Sequence, residues 1–474
     1  MANSIKKSMF WKLMERGFTQ GMLLVLTIVL ARLMDPEDFG TLTLLMVFVS
    51  LMQVFLDSGM GSALIQKKNV TDLEYSTVFY FNLVVCVILY LVMFALAPIV
   101  ARVYHEEAYT QYIRVLSIII LISGLRNIQN TKAAINMDFK RLFFSAFFGV
   151  VISGVIGITL AYKGFGIWAL IIQNIINVLV ATIVLWLIDR WIPARQFSLD
   201  ALRGLWGYGW KIFLASLIMN VYDNLSVLII GKRYIKEDLA FYDQGRKYPQ
   251  VIISNINASV DSVIFPAMSK KQDDPEGLAE LTKKTIMTTE YVLLPIMTGL
   301  AVCSHRIVNI VLTEKWLPCV PYICLFCFFY LLYPFNTANL NVLKAVGRSN
   351  RVLKLEVIKR CLGLIILMLT LRYGVFAIAC GMVVSGVIDW TLNAHAARST
   401  LKYGLLTELK VILPSVFMSM IMAVGVYACG MLKLNSELVI LILQVLVGIV
   451  IYAGLSIVTK NEVFKLLLNS IIRR

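Results

Sequence analysis

Long apolar runs separated by short polar turns fill the chain from end to end. A membrane-spanning helix needs about 20 apolar residues, because a rise of 1.5 Å per residue must cross roughly 30 Å of hydrocarbon. About fourteen runs reach that length. They cover 11–33, 41–64, 75–100, 113–130, 143–162, 167–188, 211–230, 241–268, 286–311, 319–341, 357–373, 376–397, 411–430 and 438–458. The stretches 113–130 and 211–230 are the most polar of the set, and a chain without them would have twelve spans. The first run follows Lys6, Lys7 and Lys12 but is too long for a signal peptide, and it continues into Ala31-Arg32-Leu33-Met34-Asp35-Pro36. It is read as the first span. The connection 189–210 carries Trp191, Trp206, Tyr208 and Trp210 with Arg195 and Arg203, a pattern that predicts an amphipathic helix lying at the membrane interface.

Composition sharpens this. Of the 474 residues, 59% are apolar and only 15% charged, with mean hydropathy +0.79. Soluble domains run roughly 45–50% apolar and about 25% charged. A soluble enzyme, a nucleic-acid-binding domain and a disordered chain are excluded. The net charge of +16, from 44 Lys and Arg against 28 Asp and Glu, then reports on orientation. Placing the N-terminus in the cytoplasm puts most of the basic residues inside, the densest stretch being Lys344, Arg348, Arg351, Lys354, Lys359 and Arg360. Both termini are expected to be cytoplasmic. The exception is an outer group, Lys232, Arg233, Lys236, Arg246 and Lys247.

The chain also repeats itself. Asp35-Pro36-Glu37-Asp38-Phe39-Gly40 faces Ile235-Lys236-Glu237-Asp238-Leu239-Ala240, each following one span and opening the next. Asp57 with Lys67 and Lys68 matches Asp261 with Lys270 and Lys271, and 165–170 matches 373–378. The expected architecture is an all-α integral membrane protein of two six-helix lobes, 1–204 and 205–400, with two further helices in 401–474. An even number of spans per repeat relates the lobes by a pseudo-two-fold axis along the membrane normal. Two such bundles enclose a cleft, which is the architecture of a transporter.

These residues carry a resemblance. The stretch 30–40 resembles the first-loop signature of polysaccharide flippases, and 57–68, Asp57-Ser58-Gly59-Met60-Gly61-Ser62-Ala63-Leu64-Ile65-Gln66-Lys67-Lys68, resembles the end of their second helix. Phe265-Pro266-Ala267-Met268-Ser269 and Lys344-Ala345-Val346-Gly347-Arg348 are similar to elements of their second half. The whole chain resembles the Wzx-type branch of the multidrug/oligosaccharidyl-lipid/polysaccharide exporter superfamily, nearest the colanic-acid and teichuronic-acid exporter group. The resemblance implies two lobes around a central cavity. It implies flipping of a polyprenyl-diphosphate-linked oligosaccharide from the inner to the outer leaflet of the bacterial cytoplasmic membrane. It further implies work alongside a polysaccharide polymerase and chain-length machinery, with H+ or Na+ as coupling ion.

Charge within the spans marks the candidate chemistry, since a charged side chain at mid-bilayer costs about 2.5–3.5 kcal/mol on insertion scales. The cavity candidates are Arg16, Asp57, Arg126, Asp223, Asn224, Arg246, Lys247, Asn257, Asp261 and Asp389. Arginine suits a diphosphate because its planar fork donates paired hydrogen bonds. Amides and carboxylates suit sugar hydroxyls. Against this stand snorkelling for Arg16 and Arg126, a helix end for Arg246 and Lys247, and structural pairing for Asp57 and Asp261. No catalytic group, metal site, cofactor or nucleotide-binding loop is expected; Cys324 and Cys327 lie in a Phe-rich run with no histidine near. The alternative function is a small-molecule exporter, a cation-coupled antiporter, on the same fold, which would favour carboxylates over cations. A membrane polymerase or ligase would need a larger outer loop than the chain provides.

Overall fold

The computed structural model describes residues 2–57, 59–67, 69–189, 191–432, 434 and 436–465. Among these there is no strand. Seventeen α-helices follow one another: α1 Ala2–Leu33, α2 Pro36–Asp57, α3 Met60–Gln66, α4 Asp72–Tyr104, α5 Tyr109–Leu116, α6 Ile118–Ile135, α7 Phe139–Tyr162, α8 Ile167–Asp189, α9 Leu199–Arg233, α10 Lys236–Lys270, α11 Pro275–Val311, α12 Val320–Leu331, α13 Tyr333–Ala345, α14 Ser349–Thr370, α15 Val375–Leu401, α16 Leu405–Gly430 and α17 Glu437–Val458.

The turns explain the boundaries. Thr71 and Glu74 form a reciprocal capping box that starts α4, with Lys67 paired to the same carboxylate. Ser198 caps α9 through the Ala201 amide at 3.2 Å. Asp274 accepts from the Gly277 amide at 2.9 Å, and Pro275 opens α11 where its missing N–H costs nothing. Between α2 and α3 the chain turns at Gly59, φ 69°, where a Cβ would also overlap the Gly209 backbone of α9.

Counted as candidate spans, α2 with α3 (Pro36–Gln66), α5 with α6 (Tyr109–Ile135), and α12 and α13 with the 3-10 turn before them (Glu314–Ala345) are one rod each, which leaves fourteen rods among the described residues. Twelve of them are long and apolar enough to cross a membrane. The polar stretches 113–130 and 211–230 belong to rods that qualify, whereas α10 and α14 fall short. Both have the length: 35 and 22 residues give about 52 and 33 Å. Their charged side chains set them apart, Asp243, Arg246 and Lys247 on one, Glu356, Lys359 and Arg360 on the other.

The interfacial helix expected at 189–210 takes a different form. Residues 199–210 are the first turns of the continuous α9, and Trp191 is buried with Tyr75, Phe79 and Leu205 in the core around α3 and α4. Burying the indole outweighs its pull toward the interface. The connection before α9 is pinned as well, Ala194 N–H donating to Ser76 Oγ at 2.8 Å and Ser198 N–H to Thr77 Oγ1 at 3.2 Å.

Two compact units result, Met1–Ala240 and Phe241–Arg474. In the first, α7 packs along α8 and α1, the small residues Ser145, Gly149 and Gly157 letting the rods close up, and α9 packs on α2, α3 and α4. In the second, α11 lies at the centre, against α12, α13, α15, α16 and α17.

Candidate functional site

The candidates of the first unit sit on α1, α2, α6 and α9. Asp57 ends α2, exposed, and accepts from Asn127 Nδ2 on α6 at 2.9 Å. The residue before that asparagine is Arg126, half-buried, with no hydrogen bond, ion pair or ring contact among the described residues. Its guanidinium has five donors, the chemistry an anion would engage. Arg16 is half-buried on α1. On α9, Asn224 donates to the Asn220 carbonyl at 2.9 Å and to its Oδ1 at 3.2 Å, and Ser50 of α2 reaches the same Oδ1 at 3.3 Å. Asn224 therefore belongs to a polar ladder joining α2 and α9, while Asp223 beside it is exposed.

In the second unit Gly245 lets α10 lie close against Tyr322 of α12. Tyr242 is fully buried at that crossing, its edge against Phe326 at 5.4 Å. Arg246 follows, its guanidinium 5.9 Å from the Tyr242 ring centroid and 3.6 Å from Asp243. Arg246 and the half-buried Lys247 thus sit inside a helix, a full three turns beyond its start at Lys236, rather than at its end. Asn257 lines a small cavity with Thr285, Thr289, Thr337 and Asn341. Asp261 is on α10, and its side chain lies outside the described ones. Asp389 of α15 faces Lys359, Arg360 and Glu356 of α14. Lys359 is only 7% exposed and paired with Glu356, and Arg360 reaches the same carboxylate at 3.5 Å. Four charges thus neutralise one another between two helices, which accounts for their presence in apolar surroundings.

Two polar contacts escaped the sequence reading. Asn127 sits in the polar run 126–132, the one signal that pointed to it. Lys236, read only as a topological exception, bridges Glu37 at 3.1 Å and Glu106 at 2.7 Å and lies 5.8 Å from the Tyr109 ring centroid. Burial works against its charge, but its bonds to Glu106 and Glu37 outweigh that and hold the ammonium above the usual lysine range. Under this clamp Gly40 meets the Lys236 carbonyl so closely that a Cβ would overlap it, with the Ala240 amide 3.3 Å from that Cβ position.

Residues 29–321, more than half of the chain, match the family model described as polysaccharide biosynthesis protein. The chain belongs to the polysaccharide biosynthesis protein family. Among its relatives, the teichuronic acid biosynthesis protein TuaB of Bacillus subtilis is 26% identical over 305 residues, 63% of this chain and 62% of that protein. The lipopolysaccharide biosynthesis protein WzxC of Escherichia coli is 26% identical over 356 residues, 74% of this chain and 71% of that one. The match to TuaB thus spans less than two thirds of that relative's own length. Within the polysaccharide biosynthesis proteins this chain has the fold of lipid II flippase MurJ in its inward closed conformation, with TM-score 0.77 at 16% identity over 96% of this chain and 99% of that one. A multidrug resistance MATE family transporter in an inward-facing conformation shares the fold at TM-score 0.59 and 16% identity, over 81% of this chain and 96% of the other.

Proposed function

We propose that this multi-pass membrane protein is an alternating-access flippase that moves a polyprenyl-diphosphate-linked oligosaccharide from the cytoplasmic to the outer leaflet for surface polysaccharide biosynthesis. Membership of the polysaccharide biosynthesis family and the fold shared with a lipid II flippase support it. The observation that carries the substrate class is Arg126, a cation left uncommitted in an apolar rod beside the Asp57–Asn127 pair. A diphosphate would engage it, whereas a cationic drug would be repelled. Arg16, Arg246 and Lys247 are the further phosphate candidates; Asp57, Asp223, Asn224, Asn257, Asp261 and Asp389 are the sugar-facing or supporting ones. Each charge-assisted bond contributes on the order of 1–3 kcal/mol.

In this reading the chain sits in the bacterial inner membrane with both termini cytoplasmic and works with a polysaccharide polymerase and chain-length machinery. Its coupling ion is H+ or Na+. The repeat supports lobes of 1–204 and 205–400, with 401–474 as an addition. No part of the reading calls for enzymatic chemistry.

The test is a strain lacking this chain and any related flippase. It should accumulate lipid-linked oligosaccharide in the cytoplasmic leaflet and display no surface polysaccharide, and plasmid-borne protein should restore both. Arg126→Ala, and Arg246→Ala with Lys247→Ala, should cut export at unchanged protein level, with Arg246→Lys recovering part because it keeps charge but loses the fork. Normal display in the deletion strain rejects the flippase. A strain that keeps its polysaccharide but becomes sensitive to cationic drugs favours the exporter, for which the shared MATE fold leaves room.

A further inference from the structure

Glu290 lies near the middle of α11, about 22 Å along the axis from Pro275. It is 1% exposed, and neither carboxylate oxygen has a hydrogen-bond partner among the described residues. Polar and titratable groups occur on the helices packed on α11 and on α11 itself, where Lys283 lies 4.7 Å from the Tyr403 ring centroid and Lys284 follows it. From α17, Tyr452 is near enough to feel its charge, but that hydroxyl donates to the Tyr291 carbonyl at 2.8 Å. Tyr291 is itself bonded to Ser456 at 2.7 Å. On α16, Glu408 is engaged by Trp390 Nε1 at 2.7 Å with Asn339 of α13 beside it, and buried Ser419 lies beside Tyr452. On α15, Asn393 gives its amide to Asn336 at 2.9 Å. The α12 face presents Cys327 and Tyr330. The arginine on α11 itself, Arg306, is committed to Gln444 at 3.0 Å and the Gly430 carbonyl at 2.6 Å. Among the described residues no cation pairs with Glu290.

An ionised carboxylate in such a place would cost several kcal/mol without a compensating partner. Packing does not account for it, since a leucine would fill the site without an unsatisfied polar group. A metal ion would need converging oxygens, and no cluster of three acidic, histidine or cysteine side chains occurs among the described residues. One residue back along α11, Thr289 lines the small polar cavity with Asn257, Thr337 and Asn341. Its volume of about 10 Å³ is the size of a single water site.

We propose that Glu290 is a proton-binding site, loaded in this conformation and emptied when the helices around α11 part and water enters. The carboxyl O–H then breaks, the proton passes to water, and the carboxylate stays behind, stabilised by hydration until closure drives reprotonation. The use of that proton in driving export rests on the flippase reading; the site itself does not.

The experiment uses the full-length protein. Infrared spectroscopy of purified parent in lipid vesicles should show a protonated-carboxyl band at neutral pH that disappears in Glu290→Gln, a neutral isostere of the loaded state. In cells lacking the parental copy, Glu290→Gln should be normally abundant yet export about tenfold less, within the usual range of coupling between sites. It should also lose its dependence on the pH gradient, and Glu290→Asp should keep part of both. Absence of the band in the parent overturns the proposal, as does parental export by Glu290→Gln with unchanged gradient dependence. Loss of the band on adding sodium at fixed pH overturns it in favour of a metal site. Presence of the Glu290 band in a protein that fails to restore polysaccharide supports the site and rejects the flippase.

Discussion

Residues placed where they cannot be exchanged give the sharpest tests. Gly40 has no room for a Cβ against the Lys236 carbonyl, and a backbone atom cannot yield as a flexible side chain would. Gly40→Ala should therefore lower stability by about 1–3 kcal/mol, the usual cost of overpacking, read as a lower thermal midpoint in detergent. Lys236 above it gives a pH test. Its ammonium is held above the usual lysine range, so the clamp is at full strength below about pH 10.4 and is lost only as pH rises through the raised value. Lys236→Gln should melt earlier than the parent at neutral pH, and the gap should close at strongly alkaline pH; a constant gap would mean the lysine acts by packing. Which intramembrane charges exist was legible from the sequence, but their partners were not. Asp57 finds Asn127 four helices on, and Asp389 finds Lys359 on the preceding helix, and neither periodicity nor charge counting encodes such pairing.

At the scale of elements, α14 and α15 form a unit whose charges stand or fall together. Removing the cation in Lys359→Met leaves Glu356 and Asp389 without it, although Arg360 remains close to both. The cost should approach the roughly 3–5 kcal/mol of a broken buried pair, visible as reduced protein level and thermal midpoint. Taking out the acids as well, in Lys359→Met with Glu356→Gln and Asp389→Asn, should recover much of that loss. A triple variant worse than the single one would show that the network sets the helix pairing rather than merely balancing itself. Helix length and order were legible from apolar runs, because hydrocarbon thickness fixes both. Helix continuity was not: residues 199–210 have interfacial composition, yet α9 runs straight through them, because the Trp191 and Leu205 side chains find a core on α3 and α4.

For the whole molecule, the orientation inferred from basic residues is testable by reporter fusions after 344–354 and at the C-terminus, both of which should report cytoplasm. An outside signal at either would reverse the assignment. The fold class was readable because composition acts over hundreds of residues, and the compact units are Met1–Ala240 and Phe241–Arg474. Helix α9 falls in the first of these, packed on α2, α3 and α4. The peptide link before α9 is therefore not what holds it there. Cleaving the exposed 195–197 stretch should leave a two-chain protein, because α9 would stay docked without the bond. Fragments 1–196 and 197–474 expressed together should co-purify and restore whatever the intact chain restores.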